Sequence, residues 1–140
     1  MDALTYCKED ILDPLEFTDL LIRSGLDARR PVNDKERISA MCKHANLIIT
    51  ARLNGKIMGV ARSLSDFSFC TYLSDLAVDK DLQHQGIGVR LIAETKKHSP
   101  QAKLILLAAP AAIHYYPKIG MQQHTYCYFI DHIEELKSGT

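Results

Sequence analysis

Apolar and polar positions in the first third of the chain follow a helical spacing. A first helix is predicted between Asp13-Pro14, an N-cap followed by proline at the first helical position, and the stop signal Ser24-Gly25. A short strand precedes it. A second helix begins at residues 33–36, where Glu36 is placed to complete a capping box, and runs to about Lys43.

From Asn46 the spacing becomes that of strands. Asn54-Gly55 separates two β-rich runs, which is a strong signal for a hairpin. The run at 104–109 is apolar without alternation and predicts a strand covered on both faces. The predicted elements are strands at 47–52, 57–62, about 69–78, 104–109 and 125–130, a helix at about 86–97, and a short helix from Pro110 to Tyr116. The order β-α-α-β-β-β-α-β-α-β predicts an α/β (α+β) fold with a mixed sheet flanked by helices.

Composition places the chain among globular domains. It has 140 residues, 46% of them hydrophobic, and Lys plus Arg equal Asp plus Glu at 17 each. No linker interrupts it, so a single domain over residues 1–140 is expected. Zero net charge gives no bulk attraction to nucleic acid or an anionic membrane, and neither is expected as a partner. Residues 1–10 lack the features of a signal peptide, which predicts a cytoplasmic location.

The four cysteines are widely spaced and form no zinc-binding or redox motif. They are Cys7, Cys42, Cys70 and Cys127. We therefore expect buried free thiols and no metal.

The informative segment is the polar turn that follows the strand ending at Val78. It reads Gln83-x-x-Gly86-x-Gly88 and opens a helix, so several backbone N–H groups and the helix dipole point at one spot suited to phosphate. A Rossmann fingerprint is excluded because the third glycine is missing, and a P-loop is excluded because no Gly-Lys-Ser/Thr occurs.

This turn resembles the acyl-CoA motif of the GNAT acetyltransferase superfamily, Q/R-x-x-G-x-G/A. Downstream, residues 115–121 (Tyr-Tyr-Pro-Lys-Ile-Gly-Met) resemble the family's Phe-Tyr-x-x-x-Gly-Phe segment. The resemblance implies a GNAT-like, mostly antiparallel sheet and acetyl-CoA as co-substrate. It also implies that the pyrophosphate lies on the loop amides and that pantetheine pairs with the preceding strand. The cofactor-binding residues implied are Leu76, Ala77, Val78, Gln83, His84, Gln85, Gly86, Ile87, Gly88 and Val89. The alternative for the glycines is a plain tight turn packed on the sheet.

The reaction implied is attack of an amine on the thioester, with proton transfers from the ammonium and to the departing sulfur. Tyr116 aligns with the family's usual acid, and the alternative is an aromatic core filler. Because Pro117 departs from the pattern, Tyr115 is the fallback. Asp75, near the end of its strand, is the candidate base; its alternatives are a structural role or a water relay.

The expected function is transfer of an acetyl group to a primary amine of a small molecule. Arg29 and Arg30, in the loop where family members shape the acceptor site, are candidates to clamp an acidic group of the substrate, and a solvated loop is the alternative. A non-catalytic acyl-CoA-binding or interaction module, or acetylation of a protein or peptide amine, remains open. A homodimer is expected mainly from the resemblance, with the strand at 125–130 as an edge to be covered.

Overall fold

The structure is a computed structural model that describes residues 3–139. The chain forms two compact units, Met1–Leu107 and Ala108–Thr140. The first unit contains a five-stranded sheet whose strands are ordered as in the sequence. Neighbours from β1 to β4 are antiparallel, and β4 pairs with β5 in parallel. The strands are β1 (Thr5–Glu9), β2 (Leu47–Leu53), β3 (Lys56–Ser65), β4 (Cys70–Val78) and β5 (Lys103–Ile105). This mixed, mostly antiparallel sheet confirms the predicted fold class.

Three helices belong to the first unit: α1 (Pro14–Ser24), α2 (Lys35–His44) and α3 (Ile87–His98). Short 3₁₀ turns lie at Leu26–Arg29 and Lys80–Leu82. The second unit contains α4 (Tyr115–Lys118), with 3₁₀ turns at Pro110–Ala112 and Ile133–Glu135. The short helix predicted from Pro110 to Tyr116 is therefore divided into a 3₁₀ turn and a later α-helical turn.

Local signals account for the ends of the first two helices. The Asp13 carboxylate accepts the N–H of Glu16 at 3.3 Å, and α1 ends at Gly25, whose φ of +85° suits glycine. Asp34 caps α2 by accepting the N–H of Arg37 at 3.1 Å. The capping box expected with Glu36 is wrong, because the helix begins one residue later and places Arg37 at the third helical position.

The sheet is buried on both sides. On one face, α1 and α2 pack Phe17, Leu20 and Ile38 against the strands, together with Val60 of β3 and Ala77 of β4. On the other face α3 packs against the sheet. The apolar members of that second cluster are Leu47, Ile49, Ala51, Ala61, Leu73, Ile87 and Leu91. Strand β2 contributes to both clusters, which explains the three consecutive apolar residues at its start, 47–49.

Two predicted strands differ from the observed ones. The strand expected at 104–109 is reduced to β5, and the apolar run is not covered on both faces, since Ile105 and Leu107 are exposed. The reason is that β4 pairs with β5 only as far as Tyr72, so later residues have no ladder to join. Residues 125–130 form no strand: they have no ladder partner within residues 3–139, and their side chains are exposed.

The prediction of buried thiols holds for one cysteine. Cys42 lies on the buried face of α2, and this burial raises the pKa of its thiol to about 11, so it remains protonated at neutral pH. The other three, Cys7, Cys70 and Cys127, are exposed free thiols. Each lies on an edge strand, a strand end or a loop of its unit, where side chains are not enclosed.

Candidate active site

The N-terminus of α3 lacks the side-chain cap that the other two long helices have. Its N-cap is Gly86, no side chain bonds its first turn, and that turn contains no acidic residue. The first backbone hydrogen bond of the helix is donated by Arg90 N–H to Gly86 O at 3.1 Å. The N–H groups of Ile87, Gly88 and Val89 therefore have no carbonyl one turn back to bond, and they project from the positive end of the helix dipole.

The loop before α3 takes a shape that only a few residue types tolerate. Both His84, with φ of +66°, and Gly86, with φ of +81°, are left-handed. A Cβ built on Gly86 would meet no atom within 4 Å, so the space above the glycine is open. Backbone groups at this point are accessible to a ligand, which a tight turn packed against the sheet would not allow.

Beyond Tyr72, β4 has no partner strand on the side of β5, and this unpaired side of residues 73–78 is called the gap. Pairing with β5 covers Cys70 to Tyr72 only. On the other side, Asp79 N–H donates to Met58 O of β3 at 2.9 Å. Hydrogen-bonded and non-hydrogen-bonded pairs alternate along an antiparallel ladder, so Val78 and Leu76 are non-hydrogen-bonded positions of the pairing with β3. The backbone groups of Leu76 and Val78 therefore face away from β3, into the gap, as the expected strand-like pairing of pantetheine requires.

Gln83 has a defined place in this arrangement. Its Nε2 donates to Val78 O at 2.9 Å and to Ser24 O at 3.3 Å. The side chain thus ties the loop to the end of β4 and to the last turn of α1. Because it occupies Val78 O, the backbone groups left facing the gap are the N–H of Val78 and both groups of Leu76.

An ion pair supports the same loop. Arg23 of α1 donates to Asp79 at 2.5 Å and to Ile57 O at 2.6 Å, and the second Asp79 oxygen accepts the N–H of Asp81 at 2.9 Å. Burial opposes ionisation of Asp79, but the bonds from Arg23 and Asp81 outweigh it, and the pKa of Asp79 is lowered.

We expect this ion pair to make stability depend on pH. Since the folded-state pKa of Asp79 lies below that of an unfolded aspartate, about 4, the pair stabilises the fold above that pH, and the contribution is lost as pH falls through the folded-state pKa. The melting temperature of Asp79→Asn should lie below that of wild type at pH 7 and approach it at pH 3. Asp19→Asn, which removes an exposed partner of the same arginine, is the control and should show a smaller difference. If the difference in melting temperature between Asp79→Asn and wild type did not change with pH, the stabilising role of the ionised Asp79 would be contradicted.

Asp75 is not presented to a substrate. Its side chain is fully buried, and each carboxylate oxygen accepts a guanidinium Nε–H, one from Arg30 and one from Arg62. As strand alternation predicts, Asp75 faces α1 and α2, opposite Leu76 and Val78. These contacts favour the structural alternative for Asp75 over the role of base.

The two arginines considered for the acceptor differ in their surroundings. Arg30 is engaged by Asp75 and also donates to Ser74 O and to Arg29 O, both at 2.8 Å. Its fork is therefore bound within the protein. The side chain of Arg29 is exposed on the 3₁₀ turn that follows α1.

In the second unit, the candidate tyrosines are adjacent on α4. Their rings are 5.2 Å apart edge to face. Burial raises the pKa of Tyr116, with a smaller contribution from Tyr115, and burial also raises the pKa of Tyr115. Both hydroxyls are therefore protonated at neutral pH, the form that a proton donor needs. Pro117 is the third residue of α4, within the first turn, where a missing N–H costs no helical bond.

The family comparison agrees with this geometry. The model of the Acetyltransferase (GNAT) family matches residues 15–121. This protein belongs to the GNAT acetyltransferase family. A curated relative, the uncharacterized N-acetyltransferase ycf52 of Pyropia yezoensis, is 25% identical over 130 residues, covering 77% of this chain and 73% of the relative.

Solved GNAT structures share the fold. A GNAT family acetyltransferase of Streptococcus pneumoniae TIGR4 superposes with a TM-score of 0.73 at 20% identity, over 92% of this chain and 98% of the other. An aminoglycoside N-acetyltransferase solved in complex with CoA superposes with a TM-score of 0.72 at 11% identity, over 95% of this chain and 97% of the other. Family membership indicates acetyltransferase activity.

Two further residues of this GNAT protein escaped the sequence analysis. Arg62 and Ser74 complete the contacts around Asp75, Arg62 through its Nη2, which donates to Ser74 Oγ at 2.9 Å. A signal for Arg62 was available, since it lies two residues after the core residue Val60 and strand alternation turns both to the same buried face.

Among residues 3–139 of this GNAT chain, none of the helices has the length and hydrophobicity needed to cross a bilayer. The same residues contain no group of three or more His, Cys, Asp or Glu side chains arranged to hold a metal ion.

Proposed function

We propose that this protein is an acetyl-CoA-dependent N-acetyltransferase that acts on a primary amine of a small molecule. The observation that carries the proposal is the uncapped glycine N-terminus of α3, which follows, after one turn, a strand that has no partner strand on its outer side beyond Tyr72. A phosphate-binding end and an adjoining slot for an extended amide chain match the two parts of CoA.

The residues present fit acetyl-CoA. In the proposed complex the pyrophosphate accepts N–H bonds from the amides of residues 85–89. The pantetheine amides bond the free backbone groups of Leu76 and the N–H of Val78. Gln83 holds the loop rather than the ligand, since its amide donates to Val78 O and Ser24 O. Ala77 pairs with Val60 of β3, so its backbone groups face β3, and its part is to connect Leu76 with Val78.

The reaction proposed is direct transfer. The neutral amine nitrogen attacks the thioester carbonyl carbon and forms a tetrahedral intermediate. The nitrogen loses its extra proton to water, and collapse of the intermediate breaks the C–S bond as the sulfur is protonated and CoA leaves as the thiol; water then returns a proton to the tyrosine that donated it. Tyr116 gives its proton to the sulfur. Because Asp75 has no exposed oxygen, water takes the proton from the incoming ammonium. Arg29, whose side chain is exposed in the loop after α1, is the remaining candidate to meet an acidic group of the acceptor.

A screen of small amines and polyamines for acetyl-CoA-dependent thiol release tests the function. We expect turnover with at least one small amine and none without acetyl-CoA. Binding of CoA without turnover on any small amine or peptide amine would favour the non-catalytic module, and turnover on peptide amines alone would favour a protein acceptor.

We also propose one acyltransferase domain over both units, because the family match at residues 15–121 crosses the boundary between them. Assembly as a homodimer is supported by the family resemblance and by the exposed Tyr126, Tyr128 and Phe129 in the second unit, each at least 77% exposed. Light scattering at high micromolar concentration should give twice the chain mass, and a monomeric mass would contradict the dimer.

A further inference from the structure

Strand β4 contains a bulge at Ser74. In the register with β3, Arg62 pairs with Asp75 and Ser63 pairs with Leu73, so Ser74 has no partner of its own. The extra residue reverses the alternation: Leu73 packs in the α3 cluster, whereas Asp75 faces α1 and α2. The bulge lies two residues beyond Tyr72, the last residue of β4 that pairs with β5. It therefore stands where the strand leaves β5 and the gap for pantetheine begins.

Guanidinium groups hold both parts of the bulged residue. Arg30 Nη2 donates to Ser74 O at 2.8 Å, and Arg62 Nη2 donates to Ser74 Oγ at 2.9 Å. The Nε atoms of the same two arginines both bond Asp75. The buried carboxylate of Asp75 thus orients two planar guanidinium groups, and each guanidinium in turn bonds one oxygen atom of Ser74.

The two arginines connect the bulge to different parts of the first unit. Arg62 lies on β3 within the sheet, and its Nη1 donates to Met41 O of α2 at 3.0 Å. Arg30 follows the 3₁₀ turn Leu26–Arg29 in the connection between α1 and α2, 45 residues from Asp75 along the chain. Arg30 is therefore the contact by which this connection is fastened to the bulge.

We propose that Arg30 and Arg62 are positioning residues, which act through Asp75 and Ser74 to hold the β4 bulge and the loop at residues 25–32 in one arrangement beside the reacting thioester. This assignment rests on the proposed function. Asp75 serves as the shared anion of the clamp and not as the base. The loop then has a fixed position relative to the strand that binds the acyl donor, which is the condition for orienting an acceptor.

Arg30→Met tests the clamp, because it removes the fork and keeps an apolar stem at a partly exposed position. We expect kcat to fall and KM for the amine to rise, each on the order of tenfold, while Kd for CoA stays within about twofold of wild type. Arg30→Lys should rescue little, since one ammonium cannot bond both Asp75 and Ser74 O in the fork geometry. Arg37→Met, at an exposed arginine of α2, is the matched control and should behave as wild type.

A readout besides activity is hydrogen exchange. Arg30→Met should speed exchange at the amides of residues 73–75, 26–30 and 32 and leave residues 87–98 unchanged. Unchanged exchange at the bulge, or unchanged kcat and KM, would overturn the clamp. If wild type turned over no amine, the proposed function would fail, and exchange would still decide the clamp.

Asp75→Asn separates positioning from base catalysis. A positioning role predicts that the pH dependence of kcat/KM keeps the wild-type shape and that Arg30→Met adds little to the loss in the double variant. Disappearance of the acidic limb, with a loss far beyond that of Arg30→Met, would assign Asp75 as the base and overturn the proposal. Should Asp75→Asn not fold, the pH profile of kcat/KM for Arg30→Met decides, because that variant leaves the carboxylate in place and removes a cationic neighbour. A positioning role predicts the wild-type profile, whereas an acidic limb displaced to higher pH, as a base that has lost a cationic neighbour would give, would overturn the proposal.

Discussion

Replacing Gly86 by valine is expected to abolish CoA binding, a loss on the order of 100-fold or more in affinity. Two physical causes combine. A β-branched residue is disfavoured at φ of +81°, so the loop shifts away from the shape that directs its amides to one point. The new side chain also fills the open space above the first turn of α3, where the pyrophosphate is proposed to lie. Isothermal titration of the folded variant with CoA measures the effect.

Gly55→Val supplies a matched control. Gly55, at the tip of the β2–β3 hairpin, has φ of +83°, and a Cβ built there also meets no atom within 4 Å. The two substitutions therefore impose similar backbone strain and differ in what the side chain covers. We expect Gly55→Val to lower the melting temperature and leave CoA affinity unchanged. Retention of affinity in Gly86→Val, or an equal loss in both variants, would reject the glycine loop as the binding site.

The parts of the fold that the sequence predicted well are set by local chemistry. Asn54 and Gly55 both adopt positive φ, as the predicted two-residue hairpin turn requires. Asp13 caps α1 because its carboxylate reaches an N–H only three residues away. Interactions of this short range depend on residues that are close in the sequence. The turn at Gln83–Gly88 is likewise determined by its own residues. The conformation of the glycine loop before α3 could therefore be predicted from the sequence.

The contacts around Asp75 are of another kind. Its partners lie 13 and 45 residues away, and neither distance matches the period of a strand or a helix. Alternation correctly placed Asp75 on the face opposite Leu76, but alternation does not reveal which side chains meet there. The bulge at Ser74 is likewise set by packing across β3 and β4. Sequence reasoning therefore found the carboxylate and assigned it a role that its surroundings do not favour.

The segments at 104–109 and 125–130 show a limit of β propensity. Residues 104–109 form a continuous apolar run and residues 125–130 are rich in residues that favour strands, yet a strand forms only where a neighbour offers N–H and C=O groups. Residues 103–105 find that neighbour in β4, and residues 125–130 find none among residues 3–139. Composition alone does not tell where a partner strand ends.

Tyr116→Phe is expected to lower kcat and kcat/KM together by on the order of 100-fold while CoA binding survives. The substitution keeps the ring and its packing and removes only the proton that the departing sulfur would receive. Because burial raises the pKa of Tyr116, wild type holds that proton at neutral pH, and the contribution is present over the physiological range. Steady-state kinetics with the best amine from the screen, together with CoA titration, measure both quantities.

Tyr115→Phe is the control within the same helical turn. Its ring lies 5.2 Å from that of Tyr116, so the two variants perturb similar surroundings. If Tyr116 only fills space, loss of its hydroxyl should leave turnover near wild type and change the free energy of unfolding by no more than about 1 kcal/mol, the scale of one hydrogen bond. A Tyr116→Phe enzyme with normal turnover would therefore reject Tyr116 as the acid. Should Tyr115→Phe instead show the 100-fold fall, Tyr115 would be the donor, and the departure at Pro117 would have moved the role by one residue along α4.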